Sequence, residues 1–131
     1  MRFLRDSDRL QGRILDYGCG RGFCAESLGL EKYDPYWFPD YPQGYFDTIT
    51  CHYVLNVIEA EVERLQVLED IMSLLAPGGI AYVSVRRDKQ CLRGRLKNGA
   101  FQGFVTLGTP WQSLLRTAGV EIYQRSVLDS L

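Results

Sequence analysis

Apolar and polar positions repeat with two different periods along the chain, and these periods predict strands and helices in turn. Apolar and β-branched runs predict strands at 13–17, 30–34, 46–52, 80–85 and 120–125. Helical spacing predicts a long helix over Glu59–Leu75, and terminal signals predict shorter helices at 22–29 and 109–119. Alternating strands and helices indicate an α/β, doubly wound, mainly parallel sheet with right-handed crossovers. We expect a single domain over residues 1–131.

The segment 14–24, Ile-Leu-Asp-Tyr-Gly-Cys-Gly-Arg-Gly-Phe-Cys, joins a predicted strand to a predicted helix. Glycines at 18, 20 and 22 allow turns with positive φ and leave the backbone open to a ligand. The helix that follows offers unpaired N–H groups and a partial positive charge. The segment therefore predicts a binding site for a small molecule.

The glycine spacing distinguishes between two kinds of ligand. A dinucleotide site has the pattern G-x-G-x-x-G, but here the third glycine comes one position early, at Gly22, and Phe23 takes the expected place. The carboxylate of Asp16, directly before the loop, would repel a pyrophosphate but suits a cationic group. A ligand that carries an ammonium group is favoured over a dinucleotide.

The pattern D-x-G-x-G-x-G at 16–22 resembles the first motif of Rossmann-like (class I) S-adenosylmethionine-dependent methyltransferases. Three further segments extend the resemblance over roughly residues 13–126: Tyr33-Asp34, Phe46-Asp47-Thr48-Ile49 with the following 53–58, and Leu74-Leu75-Ala76-Pro77-Gly78-Gly79-Ile80. Details at 33–36, 53–58 and 85–88 also resemble a branch associated with bacterial DNA modification. The resemblance implies S-adenosylmethionine as the cofactor.

The resemblance also implies roles for individual residues. The glycine loop would hold the amino-acid end of the cofactor, and Asp34 would accept hydrogen bonds from the ribose hydroxyls. The cofactor-binding residues expected in full are Asp16, Tyr17, Gly18, Cys19, Gly20, Asp34, Pro35, Tyr36, Cys51 and His52. His52 and Tyr53 are the expected catalytic residues, with His52 as a general base. The alternative for His52, the only histidine, is a hydrogen-bonded residue that packs beside the cofactor.

The chain is shorter than the family pattern in one place. Only residues 35–45 separate two strands between which the family has a helix, a third strand and another helix. We therefore expect a reduced methyltransferase fold without the usual third strand and its helices. The strand at 30–34 becomes a sheet edge that must be covered or paired, and pairing would give a homodimer.

Aromatic residues are concentrated where that structure is missing. Seven of the sixteen aromatic residues lie within 33–46. They either cover the exposed sheet edge or form a flap that stacks on adenine or on a flat substrate. The sequence leaves both interpretations open.

The net charge of −1 conceals an asymmetry between the two parts of the chain. Residues 1–85 carry 7 basic and 13 acidic side chains, a balance of −6, whereas residues 86–131 carry 8 and 3, a balance of +5. Six of those cations lie between Arg86 and Lys97, after the strand at 80–85. They form either a contact surface for a phosphate-bearing acceptor or a solvated loop. The absence of an overall basic charge argues against tight non-specific duplex binding.

Other features restrict the class of protein. The four cysteines are scattered, without a C-x-x-C pair, so no metal site is expected. No apolar run approaches the roughly eighteen residues of a membrane span, and the N-terminal residues are too charged for a signal peptide. We expect a cytoplasmic protein with reduced thiols.

These observations predict an S-adenosylmethionine-dependent methyltransferase with an unidentified acceptor, either a nucleic acid or a small molecule. One alternative is a catalytically inactive module that binds the cofactor and regulates or scaffolds a partner. A second alternative, a dinucleotide-dependent enzyme, is disfavoured by the glycine spacing.

Overall fold

A computed structural model describes residues 1–88, 92–95 and 99–127. The helices are α1 (Arg2–Asp6), α2 (Phe23–Leu28) and α3 (Glu61–Ser73), with a 3-10 turn at Leu55–Val57. The strands are β1 (Ile14–Tyr17), β2 (Glu31–Tyr33), β3 (Phe46–His52), β4 (Leu75–Arg86), β5 (Gly94–Arg95), β6 (Phe101–Gln102), β7 (Gln112–Arg116) and β8 (Val120–Ser126).

Six of the strands form one sheet in the order β2-β1-β3-β4-β8-β7. The pairs β1–β2, β1–β3 and β3–β4 are parallel, whereas β8 is antiparallel to both β4 and β7. It follows that β7 points the same way as β1–β4 and that only β8 is reversed. The predicted mainly parallel, Rossmann-like α/β sheet is confirmed. β5 and β6 form a separate two-stranded hairpin.

Alternate residues of β4 contact opposite sides of the sheet, as the pleat requires. Val83 and Val85 belong to the larger apolar cluster, which includes Leu68 and Ile71 of α3. Tyr82 belongs to a smaller cluster with Leu4 of α1 on the other face. Helices therefore cover both faces, which is the doubly wound arrangement.

The helix predicted over 109–119 is wrong, because the centre of this segment is β7 and its other residues are not helical. β8 would otherwise be a sheet edge with unpaired N–H and C=O groups, and pairing with β7 satisfies them. A register shift between Ser113 and Leu115 lets the neighbouring Leu114 and Leu115 both pack in the smaller cluster. Pairing along the sheet thus overrides the local helix signal at Thr109-Pro110.

The reduced edge of the sheet agrees with the sequence. β2 is the terminal strand, and residues 34–45 contain only a single bridge, between Asp34 and Phe38. The glycine loop, the turn after β2, and the ends of β3 and β4 meet at the carboxyl edge of the parallel strands, where ligands bind in folds of this class. None of the described helices has the length and apolar character needed to cross a membrane.

Candidate functional site

The three glycines of the loop after β1 all have positive φ, but their surroundings differ. Gly18, Gly20 and Gly22 have φ of 75°, 58° and 81°. A Cβ on Gly18 would lie 2.4 Å from Cγ2 of Val54, and one on Gly22 would lie 2.7 Å from Cδ of Lys32. A Cβ on Gly20 would have no atom within 4 Å. Two glycines therefore permit packing, and the third leaves open space beside the backbone.

The carboxylate of Asp34 joins this loop to the end of β2. The Gly20 N–H donates to Asp34 Oδ2 over 2.9 Å. The N–H groups of Tyr36 and Trp37 donate to Oδ1 over 2.9 and 3.1 Å, which closes a turn through Pro35. A carboxylate has about four acceptor positions, so Oδ2 retains one of them on the side of the loop.

Asp16 lies at the end of β1 with its side chain almost fully buried. Thr50 Oγ1 donates to Asp16 Oδ1 over 2.9 Å, from the residue that is opposite Asp16 on β3. Burial raises the pKa of Asp16 to about 6, against the lowering effects of the Thr50 bond and of the N-terminal ammonium of Met1. A cation bound at this carboxylate would offset part of the cost of burying its charge.

Tyr17 follows Asp16 in β1 and therefore faces the opposite side of the sheet, toward α3. Its hydroxyl donates to Asp70 Oδ2 over 2.5 Å, and the hydroxyl of Tyr41 donates to Asp70 Oδ1. The Tyr33 ring lies 5.0 Å from the Tyr17 ring and 5.5 Å from the Tyr41 ring. The Tyr17 side chain thus connects the sheet, α3 and the segment after β2.

The two cysteines expected at the site occupy different environments. Cys19 lies in the glycine loop, and burial and the nearby carboxylates of Asp16 and Asp34 raise its thiol pKa to about 11. The Cys51 side chain packs in the larger apolar cluster, where burial raises its thiol pKa further. Both sulfurs are neutral thiols at physiological pH, and neither is activated as a nucleophile.

His52 ends β3 and faces Ser84, the residue opposite it on β4. His52 Nδ1 and Ser84 Oγ are 2.7 Å apart. Nε2 is buried, and no described residue provides it with a hydrogen-bond partner. Burial lowers the pKa of His52 to about 3, so the ring is neutral at physiological pH.

Tyr53 has a backbone conformation that is unusual for its residue type. Its φ is 62°, in the left-handed region, and its N–H donates to the carbonyl of Ser84 over 2.8 Å. The side chain is 44% exposed, and the Arg86 guanidinium lies 5.8 Å from its ring centroid. A strained conformation at the end of a parallel strand is typical of functional positions.

The sequence matches a family model described as a methyltransferase domain over residues 1–130. The chain belongs to this methyltransferase-domain family. A search of curated proteins found no match.

Solved methyltransferase structures share the fold of this methyltransferase domain at low sequence identity. The structure of a DhpI–SAH complex has a TM-score of 0.56 at 16% identity, covering 94% of this chain and 85% of that chain. The N-methyltransferase NodS from Bradyrhizobium japonicum WM9, in complex with S-adenosyl-l-homocysteine, has a TM-score of 0.55 at 16% identity, covering 86% and 76%. Magnesium protoporphyrin IX methyltransferase (ChlM) from Synechocystis PCC 6803 has a TM-score of 0.52 at 15% identity, covering 95% and 74%.

The aromatic segment of the methyltransferase domain contains both residues that cover the sheet edge and residues that are exposed. Phe46 is fully buried in the core, and Phe38 packs beside Gly22, with the Lys32 ammonium 4.4 Å from its ring centroid. Tyr36 is 79% exposed at the end that adjoins the glycine loop. Part of the segment covers the sheet edge, and part remains available to a ligand.

The basic stretch presents less charge than its composition indicated. Arg87 is buried, and its guanidinium bonds to Glu121 Oε1 at 2.6 Å, to the Val105 carbonyl at 2.6 Å and to the Tyr123 hydroxyl at 2.9 Å. Arg95, on the surface, pairs with Glu59. Lys89 and Lys97, which belong to the same predicted stretch, lie outside the described residues.

Glu121 completes this buried network. Although burial raises the pKa of a carboxyl group, hydrogen bonds from Ser113, Arg87 and Tyr123 together lower the pKa of Glu121. The pair links the residue that follows β4 to β8, and Ser113 adds a contact from β7. Sequence reasoning missed this pair, because a lone glutamate in a strand gives no signal of its distant partner.

Three further polar residues support the site. The side-chain NH2 of Asn56 donates to the Gly103 carbonyl, and its amide oxygen accepts from the Arg86 N–H. Thr50 and Ser84 were not identified as partners of Asp16 and His52. The signal available in the sequence was the two-residue spacing of Thr50 and His52, which places both side chains on one face of a strand. In the part of the chain that the structure describes, no acidic, cysteine or histidine side chains group to hold a metal.

Proposed function

We propose that the domain binds S-adenosylmethionine at the carboxyl edge of the sheet and transfers its methyl group to an acceptor that lies beside His52 and Tyr53. The observation that carries the proposal is the bond between the Gly20 N–H and Asp34 Oδ2, next to the open space at Gly20. It brings the first motif and the acidic residue after β2 into one site.

The donor and acceptor groups at this site suit the parts of S-adenosylmethionine. Asp34 Oδ2 has one remaining position to accept a ribose hydroxyl. The buried carboxylate of Asp16 suits the ammonium of the amino-acid portion. The DhpI, NodS and ChlM structures that share the fold contain SAM or SAH, which supports the same cofactor here. Pro35, Tyr36 and the exposed Trp37 belong to the surface proposed for adenine.

The cofactor, when bound, supplies an electrophilic methyl group on a sulfonium. The protein then has to hold the acceptor in line and exclude water, which needs no activated nucleophile in the chain. Tyr53, half-exposed beside His52, offers an aromatic surface for the acceptor. The neutral His52 ring beside it has one buried nitrogen, Nε2, without a hydrogen-bond partner in the described part of the chain.

The acceptor is proposed to be a small molecule or a phosphate-bearing compound such as a nucleic acid. NodS, which shares the fold, is an N-methyltransferase. The narrower resemblance to the branch associated with DNA modification favours a nucleic acid instead. Arg86 lies beside Tyr53, with its guanidinium 5.8 Å from the ring centroid, and adds a positive charge to the proposed methyl end. Transfer of labelled methyl groups to separate pools of nucleic acid, nucleotides, metabolites and protein would identify the class.

Calorimetry with S-adenosylhomocysteine and NAD tests the cofactor. We expect binding of the first and none of the second; no binding of S-adenosylhomocysteine at millimolar concentration would contradict the proposal. Binding without transfer to any acceptor pool would instead favour the inactive regulatory or scaffold module.

Asp34→Asn tests the ribose role. The amide retains a side-chain oxygen for the turn but loses the charge, so affinity for S-adenosylhomocysteine should fall about tenfold to hundredfold. Asp40→Asn, in an exposed position of the same segment, is the matched control and should bind as the wild type does. Equal affinity of Asp34→Asn and the wild type would remove Asp34 from the site.

A homodimer through the β2 edge also remains a proposal. The pairing surface is short, since β2 spans only Glu31–Tyr33. Light scattering at high protein concentration tests it, and a monomer at all concentrations would end it.

A further inference from the structure

Two polar pairs lie side by side on the α1 side of the sheet. Asp16 of β1 is opposite Thr50 of β3, and His52 of β3 is opposite Ser84 of β4. Both pairs are hydrogen-bonded, at 2.9 Å and 2.7 Å. Because His52 follows Thr50 by two residues, its ring lies on the same face, one step closer to the carboxyl edge.

The hydrogen positions in the His52–Ser84 pair follow from counting unsatisfied groups. Ser84 is buried, and its hydroxyl has no hydrogen-bond partner other than His52 Nδ1 in the described chain. If Nδ1–H donated to Ser84, the buried serine O–H and the Nε2 lone pair would both be unpaired. If the serine O–H donates to Nδ1, only the Nε2–H group is unpaired. The second arrangement leaves fewer buried polar groups unsatisfied and is therefore favoured.

We propose that Ser84 is a positioning residue that donates to His52 Nδ1 and fixes the hydrogen on Nε2, so that His52 donates a hydrogen bond to a carboxylate oxygen of a bound ligand. His52 then does not act as a general base. The inference deepens the proposed function and rests on it, because it assigns the ligand contact of a residue at the methyl end.

The neutral state of His52 agrees with this role. A histidine whose pKa is lowered to about 3 by burial does not take up a proton at physiological pH. Its unpaired Nε2–H group gains most from a charged acceptor, because hydrogen bonds to carboxylates are stronger than those between neutral groups. Two sources could supply that oxygen: the amino-acid carboxylate of the cofactor, or a carboxylate of the methyl acceptor.

Nitrogen NMR of histidine-labelled protein tests the tautomer directly. His52 is the only histidine, so its signals need no residue assignment, and the couplings of each ring nitrogen to the carbon-bound ring protons distinguish Nδ1 from Nε2. We expect Nε2 to carry the hydrogen from pH 6 to pH 8, and a hydrogen on Nδ1 would overturn the proposal.

Substitutions of Ser84 test its positioning role. Ser84→Ala should convert the single tautomer into a mixture, and Ser84→Thr, which keeps the hydroxyl, should restore it. Ser73→Ala is the matched control, since the Ser73 hydroxyl bonds to the Asp70 carbonyl instead and its loss should leave the His52 spectrum unchanged. If Ser84→Ala does not fold, the wild-type and Ser84→Thr spectra still decide the tautomer.

A second set of spectra identifies the source of the oxygen. A change at Nε2 with S-adenosylhomocysteine but not with 5′-methylthioadenosine, which lacks the amino-acid carboxylate, assigns the contact to the cofactor. A change only when acetate is added to the S-adenosylhomocysteine complex assigns it to the acceptor pocket. No response to either overturns the donor role.

Calorimetry on the same samples separates this inference from the proposed function. If S-adenosylhomocysteine does not bind, the proposed function fails. In that case the free protein still tests the role of His52. A hydrogen on Nε2 and a change of its signal with acetate support the role, and the absence of either overturns it.

Discussion

Buried polar groups occur in two regions of the sheet, and the two regions satisfy them differently. Beyond the end of β4, Arg87 forms a buried ion pair with Glu121 of β8, and the hydroxyls of Ser113 and Tyr123 donate to the same carboxylate. At the carboxyl ends of β1 and β3, Asp16 has one bond, and His52 Nε2 has none from the described residues. The first region has hydrogen-bond partners for its charged groups, whereas the second retains a buried nitrogen, His52 Nε2, without a partner among the described residues. Such a difference is expected between a structural network and a binding site.

Arg87→Ala should produce the largest loss of stability. It leaves the Glu121 carboxylate buried without its main partner, so the free energy of unfolding should fall by about 3–5 kcal/mol. Chemical denaturation measures the change. Arg95→Ala removes the arginine of an exposed pair and is the matched control, with no measurable loss expected. Similar losses of stability in both variants would contradict the larger contribution that we assign to the buried network.

Asp16→Asn should have the opposite effect on stability. The pKa of Asp16 is about 6 when folded and 3.8 in the reference state, so the folded protein holds a proton between these pH values that the unfolded chain has released. The stability contributed by this group therefore falls as pH rises from about 4 to about 6, by about 3 kcal/mol in total. Asp16→Asn should remove that slope and raise the free energy of unfolding at pH 7 by about 1–3 kcal/mol. A loss of stability at pH 7 would contradict the cost assigned to this carboxylate.

The same substitution should weaken ligand binding. If the ionised form of Asp16 holds the ammonium as proposed, affinity of the wild type for S-adenosylhomocysteine should fall as pH drops below about 6. Asp16→Asn should bind about tenfold more weakly at pH 7 and lose that pH dependence. Calorimetry from pH 5 to pH 8 measures both, with Asp40→Asn as the control. A parallel pH dependence in Asp16→Asn and the wild type would assign the titration to another group.

Tyr53→Asn should have the smallest effect on the free energy of unfolding. It tests whether the backbone at the end of β3 is strained. Asparagine tolerates the left-handed region better than tyrosine, so the free energy of unfolding should rise by about 0.5–1 kcal/mol. Tyr45→Asn, an exposed tyrosine without positive φ, is the control and should give no gain. Thermal denaturation compares the two. If Tyr53→Asn is less stable than Tyr45→Asn, contacts of the Tyr53 ring outweigh the strain.

The outcomes at individual residues show which parts of the fold were readable from sequence. Asp16 and the glycines could be singled out because a strand, turn and helix in succession place them locally, and the bond between the Gly20 N–H and Asp34 brings the loop beside the residue after β2. Their roles in cofactor binding stay predictions. The segment at 112–116 was misread because its strand character depends on pairing with β8, not on its own residues. The helix predicted over Glu59–Leu75 forms over Glu61–Ser73, yet Val62 and Leu65 on its apolar stripe remain exposed.

The sequence by itself determined the strands and helices from β1 to β4, the strand β8, the nature of the loop and the missing third strand. These depend on local periodicity and on residues whose backbone preferences act over a few positions. Only the tertiary structure decided which side chains meet across strands: Asp16 with Thr50, His52 with Ser84, and Arg87 with Glu121. Register and burial create those contacts, and burial sets the pKa values of Asp16 and His52. The protonation of the site is therefore a property of the assembled sheet.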